Sequence, residues 1–211
     1  SKGISKYAKK VLNSKFDSSI ATLGGGNHFI EICRSVNTSN LWVVVHSGSR
    51  GVGGKIGSHY MDLAAAYVHN PTKEEINIEV EKFKIGREDT LKYNPEAFEL
   101  AFRKHWLKVQ SRAFNSSGHN GLPLDEELGK QYLKDMEMCL DFALLNRELM
   151  FEIVYTEIRN MVGSPNNITT GVIINTHHNH AENVGDGIIH RKGATHADLN
   201  IYSIIPANMR D

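Results

Sequence analysis

Apolar and polar residues change their rhythm twice along this chain. Phe29 to Cys33 alternates apolar with polar, the period of a half-buried strand, and Leu41 to Val45 is a short, nearly all-apolar, β-branched run of the kind buried on both faces of a sheet. After the glycine loop SGSRGVGG the rhythm becomes helical: KIGSHYMDLAAAYVHN reads as a helix stopped before Pro71. Residues 72 to 83 and 95 to 114 continue it, the latter with Asn94 as N-cap and Pro95 at the first helical position. The longest signal begins near Asp125, where Leu128, Tyr132, Met136, Cys139, Ala143, Met150, Val154, Ile158 and Met161 follow three- and four-residue strides or their sums. Asn146 and Arg147 interrupt that stripe, and the simple reading places them at the edge of its buried face. Past the turn GSPNN, β-branched runs return at Val172–Ile174, Ile188–Ile189 and Ile201–Ile205.

Strands flanking a helical insert predict an α+β fold: a sheet assembled from both ends of the sequence, with helices packed against it. At 211 residues one compact domain is expected. Composition then narrows the chemistry. Lysine plus arginine equals aspartate plus glutamate, so no global positive field draws in nucleic acid, and a phosphate partner must be held by local basic residues. Cys33 and Cys139 lie far apart and outside any CxxC spacing, which disfavours a disulfide framework or zinc knot and suits a reducing, cytoplasmic setting. The first sixteen residues carry lysines but no signal-peptide core, and eighteen apolar residues nowhere run together, so no membrane span is expected.

The glycine loop invites a nucleotide reading that its spacing defeats. GSRGVGGKI has an extra glycine before Lys55 and isoleucine where a magnesium-binding hydroxyl should stand, and the residue five after Gly51 is Ile56, so neither phosphate-loop fingerprint fits. Histidines offer more. His28 stands at the start of one strand, in GGGNHFIE; His46 ends another, in VVVHSGSRG; His177, His178 and His180 follow a third run, in NTHHNHAE. Strand ends can meet at one rim, and three neutral imidazoles suit a divalent transition ion. Capping and hydrogen bonding compete with ligation at each position, and spacing alone does not choose between a local pair such as His178 with His180 and one ligand from each segment. Arg50, Arg191 and Lys192 add fixed charge able to bind phosphate, with surface solvation the simpler account of them.

Taken in order, GGGNHFIE, HSGSRG, HHNHAE, HRKGAT and IIPANM resemble the RtcB family of RNA ligases, and the span from GLPL to DFALLNRELM is similar to that family's long central helix. The resemblance covers nearly the whole chain. It implies an RtcB-like mixed sheet with a helical insert, and the joining of an RNA 3′-phosphate or 2′,3′-cyclic phosphate end to a 5′-hydroxyl end with GTP and manganese, in tRNA splicing or RNA repair. By motif, His28, His46 and His178 correspond to metal ligands, with His177 and His180 as supporting neighbours. Asn27, Phe29, Glu31 and Asn179 correspond to guanylate-pocket residues, as do Pro206, Ala207, Asn208 and Met209, which read P-A-N-M where the family writes P-G-S-M. Arg50 and Lys192 correspond to basic positions holding the RNA or GMP phosphate. An activating protein partner is compatible with this reading, and a membrane is not expected.

Two family segments have no counterpart among these residues: the upstream D-x-x-C, which adds an aspartate and a cysteine to the metal site, and the downstream H-G-A-G-R, whose histidine is guanylated. The resemblance therefore implies that residues 1–211 form a single, incomplete RtcB-like domain, the central portion of a longer enzyme, unable alone to form the histidine–GMP adduct. Two rivals stand beside it. One is a shortened relative that binds metal or nucleotide without catalysis; the other is a metal-dependent phosphodiesterase built on His46, His178 and His180.

Overall fold

The computed structural model describes residues 3–68, 71–114, 120–163, 171–185 and 187–195, with the side chains of 111–114 left aside. Its order is α1 (Lys6–Ser19), β1 (Phe29–Arg34), β2 (Leu41–His46), α2 (Arg50–Val68), α3 (Lys73–Lys84), α4 (Glu88–Tyr93), α5 (Pro95–Phe114), α6 (Glu127–Val162), β3 (Asn179–Asn183) and β4 (Ile188–Lys192). This is the expected α+β mixture with one long helix. Two compact units divide it: residues 1–54 with 133–211, and residues 55–132.

In the first unit α1 opens on Ser5, whose hydroxyl accepts from the Ala8 N–H while its own N–H and hydroxyl donate to the two oxygens of Asp135 on α6. Asp135 is fully buried, and this double hydrogen bond offsets part of the cost of burying it. Ala8 and Val11 of α1 are buried, as are Met138, Cys139, Phe142, Ala143 and Met150 of α6, and Phe16 meets Phe142 edge to face at 5.7 Å. At 36 residues, α6 runs about 54 Å.

β1 and β2 pair antiparallel, Phe29 opposite His46 and Arg34 opposite Leu41; β3 and β4 pair antiparallel, Asn179 opposite Lys192. Among the described residues these are two separate two-stranded sheets, not one sheet built from both chain ends. With a single strand neighbour, β2 is half-buried and not covered on both faces. Val172–Ile174 is not a strand: Val172 and Ile173 are exposed in irregular chain, and the β3 ladder begins only after His178. Ile188–Ile189 does lie in a strand, β4, whereas Ile201–Ile205 lies outside the described residues. The ladder carries β3 against α6, where the Ala181 N–H points to Met136 Sδ at 3.2 Å.

In the second unit the helices fall close to expectation. Thr72 and Glu75 form a reciprocal capping box at α3, and Asn94 Oδ1 accepts from the Ala97 N–H at α5. Phe83, Phe98 and Phe102 form an edge-to-face cluster, with Phe98 and Phe83 buried, that packs α3 against α5. The short helix α4 was not anticipated from the pattern, nor was α1. No described helix is long and apolar enough to cross a membrane.

Candidate functional site: a histidine cluster on the strand ends

The glycine loop is shorter than its composition suggests. Chain leaves β2 at His46, turns through Ser47 to Ser49, and is already helical at Arg50, so Gly51, Gly53 and Gly54 lie in the first turns of α2. Gly53 has a packing reason: a β-carbon there would fall 2.0 Å from Ser49 Oγ. Arg50 begins the helix with φ +54°, a left-handed conformation costly to any residue with a β-carbon and often found where a side chain must be aimed. Its guanidinium passes over Gly24, donates from Nε to Thr22 Oγ1 at 3.1 Å, and places Nη1 3.3 Å from His28 Nδ1.

Three imidazoles from distant motifs meet here. His28 and His46 have ring centroids 5.9 Å apart, and His46 and His178 5.0 Å. Rings sharing a cation through nitrogens at about 2.1 Å would stand roughly 5 Å apart at tetrahedral angles, which the His46–His178 pair matches and the His28–His46 pair exceeds. No set of three His, Cys, Asp or Glu among the described residues is arranged to hold a metal. Two of the rings are engaged by neighbouring side chains. A guanidinium only donates, so His28 Nδ1 spends its lone pair on Arg50, while His178 Nε2 lies 3.0 Å from Asn179 Nδ2. Binding an ion would require these rings to exchange Arg50 and Asn179 for the cation.

Burial and the neighbouring charges favour the neutral form of His46, His177 and His178. His46 is pushed below the ordinary imidazole range by burial, then by His28 and Arg147; His178 is lowered by burial, then by His46 and Arg147. His177 is lowered by burial, then by Arg147. A neutral ring is the state a metal ligand needs. The His177 ring lies 6.0 Å from that of His180, whose Nδ1 is buried without a hydrogen bond among the described residues.

The other expected residues divide. Phe29 pairs with His46 across the ladder and meets its ring edge-on at 5.1 Å. Asn179 touches His178, and its Oδ1 accepts from the Gly193 N–H, which ties the turn after Lys192 to the cluster; Lys192, opposite Asn179 in the ladder, is exposed. Asn27 is exposed in the bend before β1, and Glu31 sits one pleat beyond Phe29 on the same strand face, beside Cys33. Pro206 to Met209 lie outside the described residues. Burial, then Asp135, pushes the Cys139 thiol up to about 12.

Asn146 was misplaced by the pattern, whereas Arg147 is half-buried, as an edge position should be. Asn146 lies three residues after Ala143 and four before Met150, both buried, so it occupies the middle of the buried face and is fully enclosed. Its side chain accepts from the Thr22 N–H at 3.1 Å and donates toward Thr22 O, Ser47 Oγ and Gly48 O. Arg147 donates to Asn175 Oδ1 at 2.7 Å and to Ser47 O at 3.2 Å. A polar pair interrupting an otherwise apolar stride was the available signal.

Imidazoles on strand ends beside an aimed guanidinium define a histidine- and arginine-based site assembled from separate motifs. Comparison with known proteins gives that assembly a family. The chain matches the family described as tRNA-splicing ligase RtcB over residues 2–211. It is 31% identical over 212 residues to the RNA-splicing ligase RtcB of Escherichia coli (strain K12), covering 97% of this chain and 42% of the relative. With the tRNA-splicing ligase RtcB of Pyrobaculum aerophilum it shares 24% over 231 residues, covering 98% of this chain and 40% of the relative. The chain belongs to the RtcB family, and it spans about two fifths of the length of these relatives.

Proposed function

We propose that these residues form part of the metal and guanylate pocket of a GTP- and manganese-dependent RNA ligase. In that reading an RNA 3′-phosphate or 2′,3′-cyclic phosphate end is joined to a 5′-hydroxyl end by way of a histidine–GMP adduct, in the cytoplasm, in tRNA splicing or RNA repair. The observation that carries it is the meeting of His28, His46 and His178, three imidazoles separated by 18 and 132 positions in sequence, at one place beside Arg50. Family membership and the relatives named as splicing ligases support it from a separate direction.

His28, His46 and His178 would hold the ion. When bound, manganese supplies Lewis-acid polarisation of a phosphate oxygen. The remaining chemistry belongs to the chain. Arg50, freed from His28, presents a planar fork suited to two phosphate oxygens, and Lys192 adds a point charge. Phe29 offers a ring face beside His46, and Asn179 offers an amide able to read a base edge once it releases His178. All-imidazole donors do not by themselves select manganese, since nitrogen sites bind cobalt and zinc more tightly; selection would need oxygen donors or availability.

The test is an RNA-joining assay, with 3′-phosphate and 5′-hydroxyl substrates, GTP and manganese, on these residues set within an RtcB chain that supplies the D-x-x-C and H-G-A-G-R segments, since the 211 residues alone are expected to bind ion and GTP without forming the adduct. Joined product that disappears in His46→Ala and His178→Ala is expected. Binding of ion and GTP with no joining would replace this reading with that of a non-catalytic binding relative, and cleavage without joining would replace it with a phosphodiesterase.

A further inference from the structure

We propose that Asn146 and Arg147 are positioning residues for the histidine cluster: neighbours on α6, they hold Thr22, Ser47, Gly48 and Asn175 and so set the spacing of His28, His46 and His178. The proposal rests on the reading of those imidazoles as ligands of a divalent ion. It assigns to one turn of the long helix a role that pattern reading treated as the edge of a core stripe.

Each histidine is reached by a short chain of bonds from that turn. His46 is next to Ser47, whose carbonyl accepts from Arg147 Nη1 at 3.2 Å and whose hydroxyl accepts from Asn146 Nδ2 at 3.2 Å while donating to Leu23 O at 2.8 Å. His178 follows Asn175 by three residues; Asn175 Oδ1 accepts from Arg147 Nε at 2.7 Å, and its Nδ2 returns to Leu144 O on α6 at 3.3 Å. His28 is reached through Thr22: Asn146 clasps both the N–H and the carbonyl of Thr22, and the Thr22 hydroxyl accepts from Arg50, which in turn meets His28.

The residue types suit the task. An amide on a short stem offers one acceptor and two donors, matching a Thr22 N–H on one side and carbonyl and hydroxyl oxygens on the other. Aspartate would turn a second acceptor toward those oxygens. Arginine's rigid fork reaches Ser47 and Asn175 in two directions at once, which a lysine ammonium on a flexible stem does not reproduce. Ser47 is buried and Asn146 fully enclosed, so their bonds are sheltered from water and hold geometry firmly. Groups that orient metal ligands in this way typically cost about 10–100-fold in affinity when removed.

Cobalt(II) is the probe, because its visible absorption reports ligand type and geometry at the ion. It is titrated into the whole chain and into Arg147→Lys, Asn175→Ala, Asn175→Asp and His46→Ala, with thermal unfolding of each metal-free protein recorded alongside. Expected are a weakening of about 10–100-fold and an altered band for Arg147→Lys and Asn175→Ala, and recovery in Asn175→Asp, which keeps an acceptor for Arg147 Nε. Should Arg147→Lys fail to fold, Asn175→Ala at the half-buried end of the network decides. If both bind cobalt with unaltered affinity and band while His46→Ala does not, the positioning role is overturned and the metal reading stands. Cobalt binding by His46→Ala equal to that of the unsubstituted chain, or none by either, overturns both.

Discussion

Gly24 carries the most exposed consequence of the site's geometry at the scale of single residues. Its φ is +95°, and a β-carbon there would fall 1.6 Å from Arg50 Nη1 and 2.1 Å from Cζ, so Gly24→Ala must both strain the backbone and evict the guanidinium from His28. We expect urea denaturation to show a loss of more than about 1 kcal/mol for Gly24→Ala. Because part of that loss comes from the clash, Arg50→Ala combined with Gly24→Ala should be less destabilising than the sum of the two single changes. Strict additivity would contradict the contact. Sequence alone made Gly24 one of three successive glycines; only the path of Arg50, launched from its own left-handed backbone, singles it out.

Helices were the legible elements, because their boundaries rest on local chemistry. The capping box at α3 is a case: Thr72 Oγ1 accepts from the Glu75 N–H, and Glu75 returns the bond to the Thr72 N–H. Thr72→Ala should cost about 1 kcal/mol by thermal or urea unfolding, with little change for an alanine at exposed Lys73. Equal effects would mean the cap contributes nothing. Strands were read less well. Val172–Ile174 has strand composition but no ladder partner among the described residues, and strand formation depends on what lies alongside, which composition does not encode. The stripe of α6 was read correctly in period but wrongly at its end, where Met161 is exposed, and at Asn146, where a hydrogen-bonded amide replaces an apolar side chain in the buried face.

For the whole molecule, the half-buried imidazoles shape the response to acid. His46, His177 and His178 all protonate less readily in the fold than in the unfolded chain, whose imidazoles titrate near 6.5. Below that pH the unfolded chain binds more protons, so their neutral burial favours unfolding progressively as pH falls toward the folded values. Glu79 acts in a lower window: held below the ordinary carboxylate range by its bond to His105, it contributes stability that is lost as pH falls below about 4.5. Urea midpoints should therefore fall between pH 7 and 5, and that slope should flatten in His46→Asn. A slope unchanged by that substitution would place the acid sensitivity elsewhere.

At this same scale the order of the five motifs made the family legible, and the convergence of their histidines was a proposition that required coordinates. Its most direct measurement is zinc-edge X-ray absorption on the whole chain loaded with one equivalent of Zn²⁺. Three imidazole nitrogens at about 2.0–2.1 Å are predicted, falling to two in each of His28→Ala, His46→Ala and His178→Ala. Imidazole scattering that survives all three substitutions, or disappears only with His177 and His180, would contradict the account.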